Sequence, residues 1–107
     1  MAYCAEAAET AKAHGFTTNS FGERIALMHS ELSEALEEWR KPGAPGEHDF
    51  YYVDIRKPEG IYPELADVLI RIFDFAGQEG KGELLADALE AKLAYNKTRP
   101  WKHGKRF

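Results

Sequence analysis

The sequence predicts an all-α protein, a four-to-five-helix bundle formed as one domain over residues 1–107. Three observations carry this. Four segments combine helix-forming composition with apolar residues three and four apart. Most of the helix-breaking residues fall between those segments. The 107 residues leave no room for a substantial sheet beside them. A chain this short buries only about two thirds of its surface, so the core is thin and self-association would add burial. Packing between subunits is therefore part of the expectation.

The first helix covers about Ala2 to His14 and stops at Gly15, a residue suited to a helix C-terminus. Ser20 followed by Glu23 matches a capping box, so the second helix starts there and runs to about Arg40, before Pro42-Gly43. Residues 41–60 hold three of the five prolines (Pro42, Pro45 and Pro58) and read as non-helical. Within them Phe50–Ile55 reads as a short strand or an extended lid. Pro63 suits the first turn of a third helix ending near Ala76, and Gly77, Gly80 and Gly82 then mark a turn. The fourth helix covers about Glu83 to Lys97. A basic tail with Arg99, Lys102, His103, Lys105 and Arg106 follows.

Composition excludes several classes. Hydrophobic residues at 44% and charged residues at 30% fit a globular chain. A net charge of −4 argues against a broad surface for nucleic-acid polymers, though not against one nucleotide in a local pocket. The single Cys4 excludes an internal disulfide and a cysteine-rich metal site, and reads as a small apolar residue. No apolar run reaches 18 residues, and the N-terminus lacks the pattern of a signal peptide, so the expected location is cytoplasmic and away from membranes.

The charged residues follow a pattern of their own. In the second helix Phe21, Ile25, Met28, Leu32, Ala35, Leu36 and Trp39 form an apolar stripe expected to pack in the core. Glu31, Glu34 and Glu38 lie on another face, and Glu31 and Glu34 are neighbours at i,i+3. The third helix is apolar around most of its circumference. Glu64, Asp67, Arg71 and Asp74 fill the remaining sector, which is expected to meet another protein element. Four carboxylates (Glu31, Glu34, Glu64 and Asp67) in one interhelical space need protons or cations. Oxygen ligands alone favour Mg²⁺ or Mn²⁺ over zinc. The competing account is two ordinary solvated helix faces. In the fourth helix Lys92 and Asn96 interrupt a mainly apolar side, either as snorkelling and core-edge residues or as groups directed at phosphate or base.

These segments resemble the MazG-like all-α nucleotide pyrophosphohydrolases. The family pattern of E-x-x-E followed by E-x-x-D reads here as Glu31-x-x-Glu34 and Glu64-x-x-Asp67, within Glu64-Leu65-Ala66-Asp67-Val68. The run Tyr95-Asn96-Lys97-Thr98-Arg99-Pro100 adds to the likeness, which spans roughly residues 14–105. The resemblance implies a homodimer or tetramer that hydrolyses a nucleoside triphosphate between the α and β phosphates, releasing nucleoside monophosphate and pyrophosphate. By the motif, Glu31, Glu34, Glu64 and Asp67 would hold Mg²⁺, and Lys92 and Asn96 would lie near substrate, with Arg99 a weaker match. Between Glu34 and Glu64 stand 29 residues, a long interval for that family. Glu34 or Glu38 could accept the proton of the attacking water; Glu38 could instead support the metal from behind or bind a second one, and the rival account is an exposed surface glutamate. Tyr95, Trp39, Phe16 and Trp101 are candidate stacking surfaces; His14, Asn19 and His29 are candidate polar contacts. The alternatives are a phosphoribosyl-ATP pyrophosphohydrolase, and a non-enzymatic acidic helical module that docks a basic surface.

Overall fold

A computed structural model describes residues 2–13 and 20–99. Four helices and one hairpin follow in order: α1 (Ala2–Ala13), α2 (Phe21–Arg40), β1 (Tyr51–Asp54), β2 (Lys57–Glu59), α3 (Ile61–Gln78) and α4 (Gly82–Thr98). The expected helical architecture is present, with a small two-stranded sheet added to it. The features expected at His14, Gly15, Phe16, Asn19, Pro100, Trp101, Lys102, His103, Lys105 and Arg106 lie outside the described residues.

Helix α2 begins as its capping residues require. The Ser20 hydroxyl oxygen accepts the backbone N–H of Glu23 at 3.2 Å. Helix α3 has no side-chain cap. Instead the carbonyls of His48 and Asp49 accept the N–H groups of Ile61 (2.8 Å) and Tyr62 (3.0 Å). Only glycine permits this approach. Gly60 has φ 121°, and a Cβ there would fall on those same carbonyls. The loop that precedes the hairpin is thereby fixed to the start of α3.

Helix α3 extends through Gln78, past the expected end at Ala76. Gly77 is a helical residue at a contact, and does not mark a turn. A Cβ on it would meet the Cys4 carbonyl of α1, so Gly77 lets the two backbones close up, with Cys4, Ala8 and Ala76 buried around it. The stop comes at Gly80, with φ 68°. Gly80 N–H bonds the Gly77 carbonyl at 3.1 Å, and Lys81 N–H bonds that of Ala76 at 2.8 Å, a Schellman closure.

Helix α3 is the centre of the molecule, flanked by α1 and α2. Both neighbours run antiparallel to it. Tyr3 stacks on Phe73 at a centroid separation of 5.8 Å. At the start of α2, Phe21 packs on Phe75 at 5.4 Å, and Arg24 donates to the Gln78 side-chain oxygen at 2.7 Å. Helix α4 meets α1 and α3 only sparingly, does not pack against α2, and buries none of its residues.

The hairpin answers the alternative left open for Phe50–Ile55. Tyr51 pairs with Glu59, Tyr52 with Pro58, and Asp54 with Lys57, with an irregularity at Val53. Pro58 is tolerated because each strand has a free edge.

The expected core stripe of α2 is not buried within one chain. Of its members only Ala35 is buried; Phe21, Leu32, Leu36 and Trp39 are exposed. Among the described residues the buried apolar side chains are Cys4, Ala8, Ala35 and Ala76, all small. Helices α1, α3 and α2 pack as an antiparallel layer that α4 meets only sparingly.

Candidate metal centre

Antiparallel packing of α2 on α3 sets Glu31 and Glu34 opposite Glu64. One carboxylate oxygen from each lies within 4.8 Å of the other two. Glu31 and Glu64 are half-buried and Glu34 is exposed, so the group opens to solvent on the Glu34 side. Glu64 Oε2 is buried and has no hydrogen-bond partner among the described residues. A buried carboxylate oxygen without a donor is costly, and a proton or cation relieves that cost.

The charges respond accordingly. Burial, reinforced by the neighbouring Glu34, Asp67 and Glu31, pushes the Glu64 carboxyl up to about 7. Burial also raises Glu31, with Glu34 adding to the rise and Arg71 opposing it. Arg71 directs both Nε and Nη2 onto Glu31 Oε1, each at 3.0 Å. Asp67 lies one turn beyond Glu64 on α3. Desolvation raises its carboxyl, Arg71 opposes this, and Glu34 and Glu59 add to it. Asp67 is thus within electrostatic reach of the group but outside the three-carboxylate cluster itself.

Glu38 has a different environment. It is buried, and the Tyr51 hydroxyl sits 3.1 Å from both of its carboxylate oxygens. Lys41 Nζ donates to Oε1 at 2.7 Å, and this contact is the main cause that lowers the Glu38 carboxyl. A carboxylate held in this way is a weak base. It anchors the hairpin to the end of α2, and it is not brought into the three-carboxylate group.

The sequence-derived substrate residues are not brought to the carboxylates within one chain. Lys92 and Arg99 both lie over the Tyr95 ring, at 5.9 and 5.7 Å from its centroid, on a helix that does not reach α2. Asn96 is half-buried on the same helix. Trp39 is exposed beside the loop of residues 43–49, and His29 is exposed on α2.

Sequence reasoning missed Arg71 as the partner of Glu31 and Tyr51 as the partner of Glu38. Arg71 was visible as the one cation in the acidic sector of α3. Tyr51 gave no such signal, since its contact depends on the path of the loop.

Three oxygen-donor carboxylates, one with a buried oxygen that lacks a hydrogen-bond partner among the described residues, could hold a metal ion. Comparison with family models, curated proteins and solved structures finds no match for this chain.

Proposed function

We propose that this chain is a Mg²⁺-dependent nucleoside triphosphate pyrophosphohydrolase that acts as a homo-oligomer. The convergence of Glu31, Glu34 and Glu64 from two helices, with a buried Glu64 oxygen that has no hydrogen-bond partner among the described residues, carries the reading. Glu31, Glu34 and Glu64 would hold the ion, with Asp67 one turn away as a further ligand. When bound, the cation supplies charge neutralisation for the triphosphate and polarises its α-phosphoryl group.

The chain's own residues divide the remaining work. Arg71 holds one oxygen of Glu31 and so orients the other. Glu34, exposed at the mouth of the group, is the better placed of the two candidate bases. Glu38 is occupied by Tyr51 and Lys41. In-line attack by water on the α-phosphorus, with the water proton passing to Glu34, would break the bond from that phosphorus to the bridging oxygen, which leaves with pyrophosphate and frees the nucleoside monophosphate.

The small-residue core supports self-association. A stable domain needs large apolar side chains out of water, and one chain provides none fully buried among the described residues. A dimer, or a tetramer made from two dimers, would cover the exposed apolar side chains of α2. The substrate role proposed for Lys92, Asn96 and Arg99 depends on that second copy, because α4 stays away from α2 of its own chain.

The test is a panel of canonical and modified nucleoside triphosphates with Mg²⁺, read by mass for products. Pyrophosphate and monophosphate are expected together. Selective cleavage of phosphoribosyl-ATP would move the substrate class. Absence of both binding and hydrolysis would favour an acidic docking module.

A further inference from the structure

Glu64 stands in the first turn of α3, and that turn is closed from outside the helix. The leading N–H groups of a helix have no partner within it. Helix α3 has no side-chain cap, and Pro63 has no N–H to satisfy. The N–H groups of Ile61 and Tyr62 go instead to the carbonyls of His48 and Asp49, at 2.8 and 3.0 Å. The N–H of Glu64 reaches the Gly60 carbonyl at 3.1 Å and so depends on where Gly60 is held.

The same loop and hairpin are tied to α2 by a side chain. Strand β2 packs on α3, but neither strand packs on α2. The Tyr51 hydroxyl bridges that gap, 3.1 Å from both carboxylate oxygens of the buried Glu38. Glu38 lies one turn of α2 beyond Glu34. Lys41 Nζ donates to Glu38 as well, at 2.7 Å, where the loop leaves the helix.

The two ties meet. Glu38, His48, Asp49 and Ile61 line one cavity of about 250 Å³. The loop between them is braced internally. Ala44 N–H donates to the Glu47 carboxylate at 2.8 Å, Asp49 N–H to the Gly46 carbonyl at 3.2 Å, and a His48 ring nitrogen lies 3.0 Å from the Pro42 carbonyl. A braced loop transmits the hold on Glu38 to the carbonyls that close α3. Once the Tyr51 hydroxyl is gone, those carbonyls can draw away, the first turn of α3 opens, and Glu64 leaves Glu31 and Glu34.

We infer that Tyr51 is a positioning residue of the carboxylate group: through Glu38 and the His48 and Asp49 carbonyls, it holds Glu64 in place for a cation. This rests on the metal-dependent reading proposed above. The 29-residue interval between the two acidic motifs then has a structural purpose, because it supplies both the clasp on α2 and the acceptors that close α3.

Mn²⁺ titration of the full chain, with hydrogen exchange on the same proteins, tests the inference. Wild type is compared with Tyr51→Phe, which keeps the ring and loses the hydroxyl. The second comparison is Gly77→Ala, which strains the far end of α3 against Cys4 and leaves the clasp alone. Loss of the support behind a metal ligand lowers affinity about tenfold or more, so Tyr51→Phe is expected to bind Mn²⁺ about tenfold more weakly. Its exchange should quicken in the hairpin and then at Ile61, Tyr62 and Glu64. Gly77→Ala should keep the wild-type Mn²⁺ affinity, with all three proteins helical by circular dichroism. Three results would each overturn the inference and leave the metal reading standing: unchanged Mn²⁺ affinity in Tyr51→Phe, an equal loss in Gly77→Ala, or wild-type protection of Glu64 in Tyr51→Phe. Wild-type protein that binds no Mn²⁺ would sink the metal reading and the inference with it.

Discussion

Replacing Glu64 by Gln should stabilise the cation-free protein at pH 8 and leave it unchanged in acid. The carboxyl moves from an ordinary 4.5 to about 7 on folding, chiefly through burial. Between those values the folded chain holds a proton that the unfolded chain has released. Stability therefore falls as pH rises from about 4.5 to about 7, the sign for an acid whose folded value is raised. The full shift corresponds to at most about 3 kcal/mol. The group opens to water beside Glu34, and screening reduces the figure to about 1–2 kcal/mol. Glutamine mimics the protonated acid and escapes the penalty. For a domain of this size the difference is a rise in Tm of roughly 4–16 °C at pH 8 in chelator. It should shrink steadily towards pH 4.5. Adding Mn²⁺ at pH 8 should then raise the Tm of the wild type more than that of Glu64→Gln. A gap that does not vary with pH, or a variant less stable than wild type at pH 8, would refute the burial of this carboxyl against its neighbours.

Glu34→Gln and Asp67→Asn should each abolish pyrophosphate release in the nucleotide assay while leaving the far-UV circular dichroism largely intact; unchanged turnover in both would remove the assigned site. Tyr51→Phe leaves the buried Glu38 with one fewer donor and should cost about 1–3 kcal/mol in urea unfolding. Hydrogen exchange in that variant should quicken first in the hairpin. Gly77→Ala drives a methyl group into the Cys4 carbonyl and should cost about 2–4 kcal/mol, read from the same denaturation curve.

Much of the helical layout is legible because its signals are local. Ser20 and Glu23 announce α2, Pro63 sits in the first turn of α3, and the spacing of Glu31 and Glu34 makes them neighbours on any helix. That Glu64 faces them is a property of antiparallel packing, and spacing within one helix contains no information about it. The same gap hid the Arg71 pairing. Gly77 was misread because a glycine that ends a helix and one that admits a neighbouring backbone look alike in sequence; only the position of Cys4 distinguishes them. Glu38 shares a face and an interval with the other acids, yet a tyrosine 13 residues away claims its oxygens. The second strand was obscured by Pro58, a residue that ordinarily argues against one. The core stripe of α2 was correctly recognised as apolar, but periodicity cannot say whether the covering surface comes from the same polypeptide.

That the buried apolar side chains among the described residues are only cysteine and alanine has a thermodynamic consequence. Where apolar bulk is withdrawn from solvent only on encounter with another copy, folding becomes a reaction of order higher than one. The unfolding midpoint then shifts upward as protein is concentrated. In the homo-oligomer proposed above, dilution alone would loosen the chain, and the abundance of the polypeptide would become one of the determinants of its own persistence.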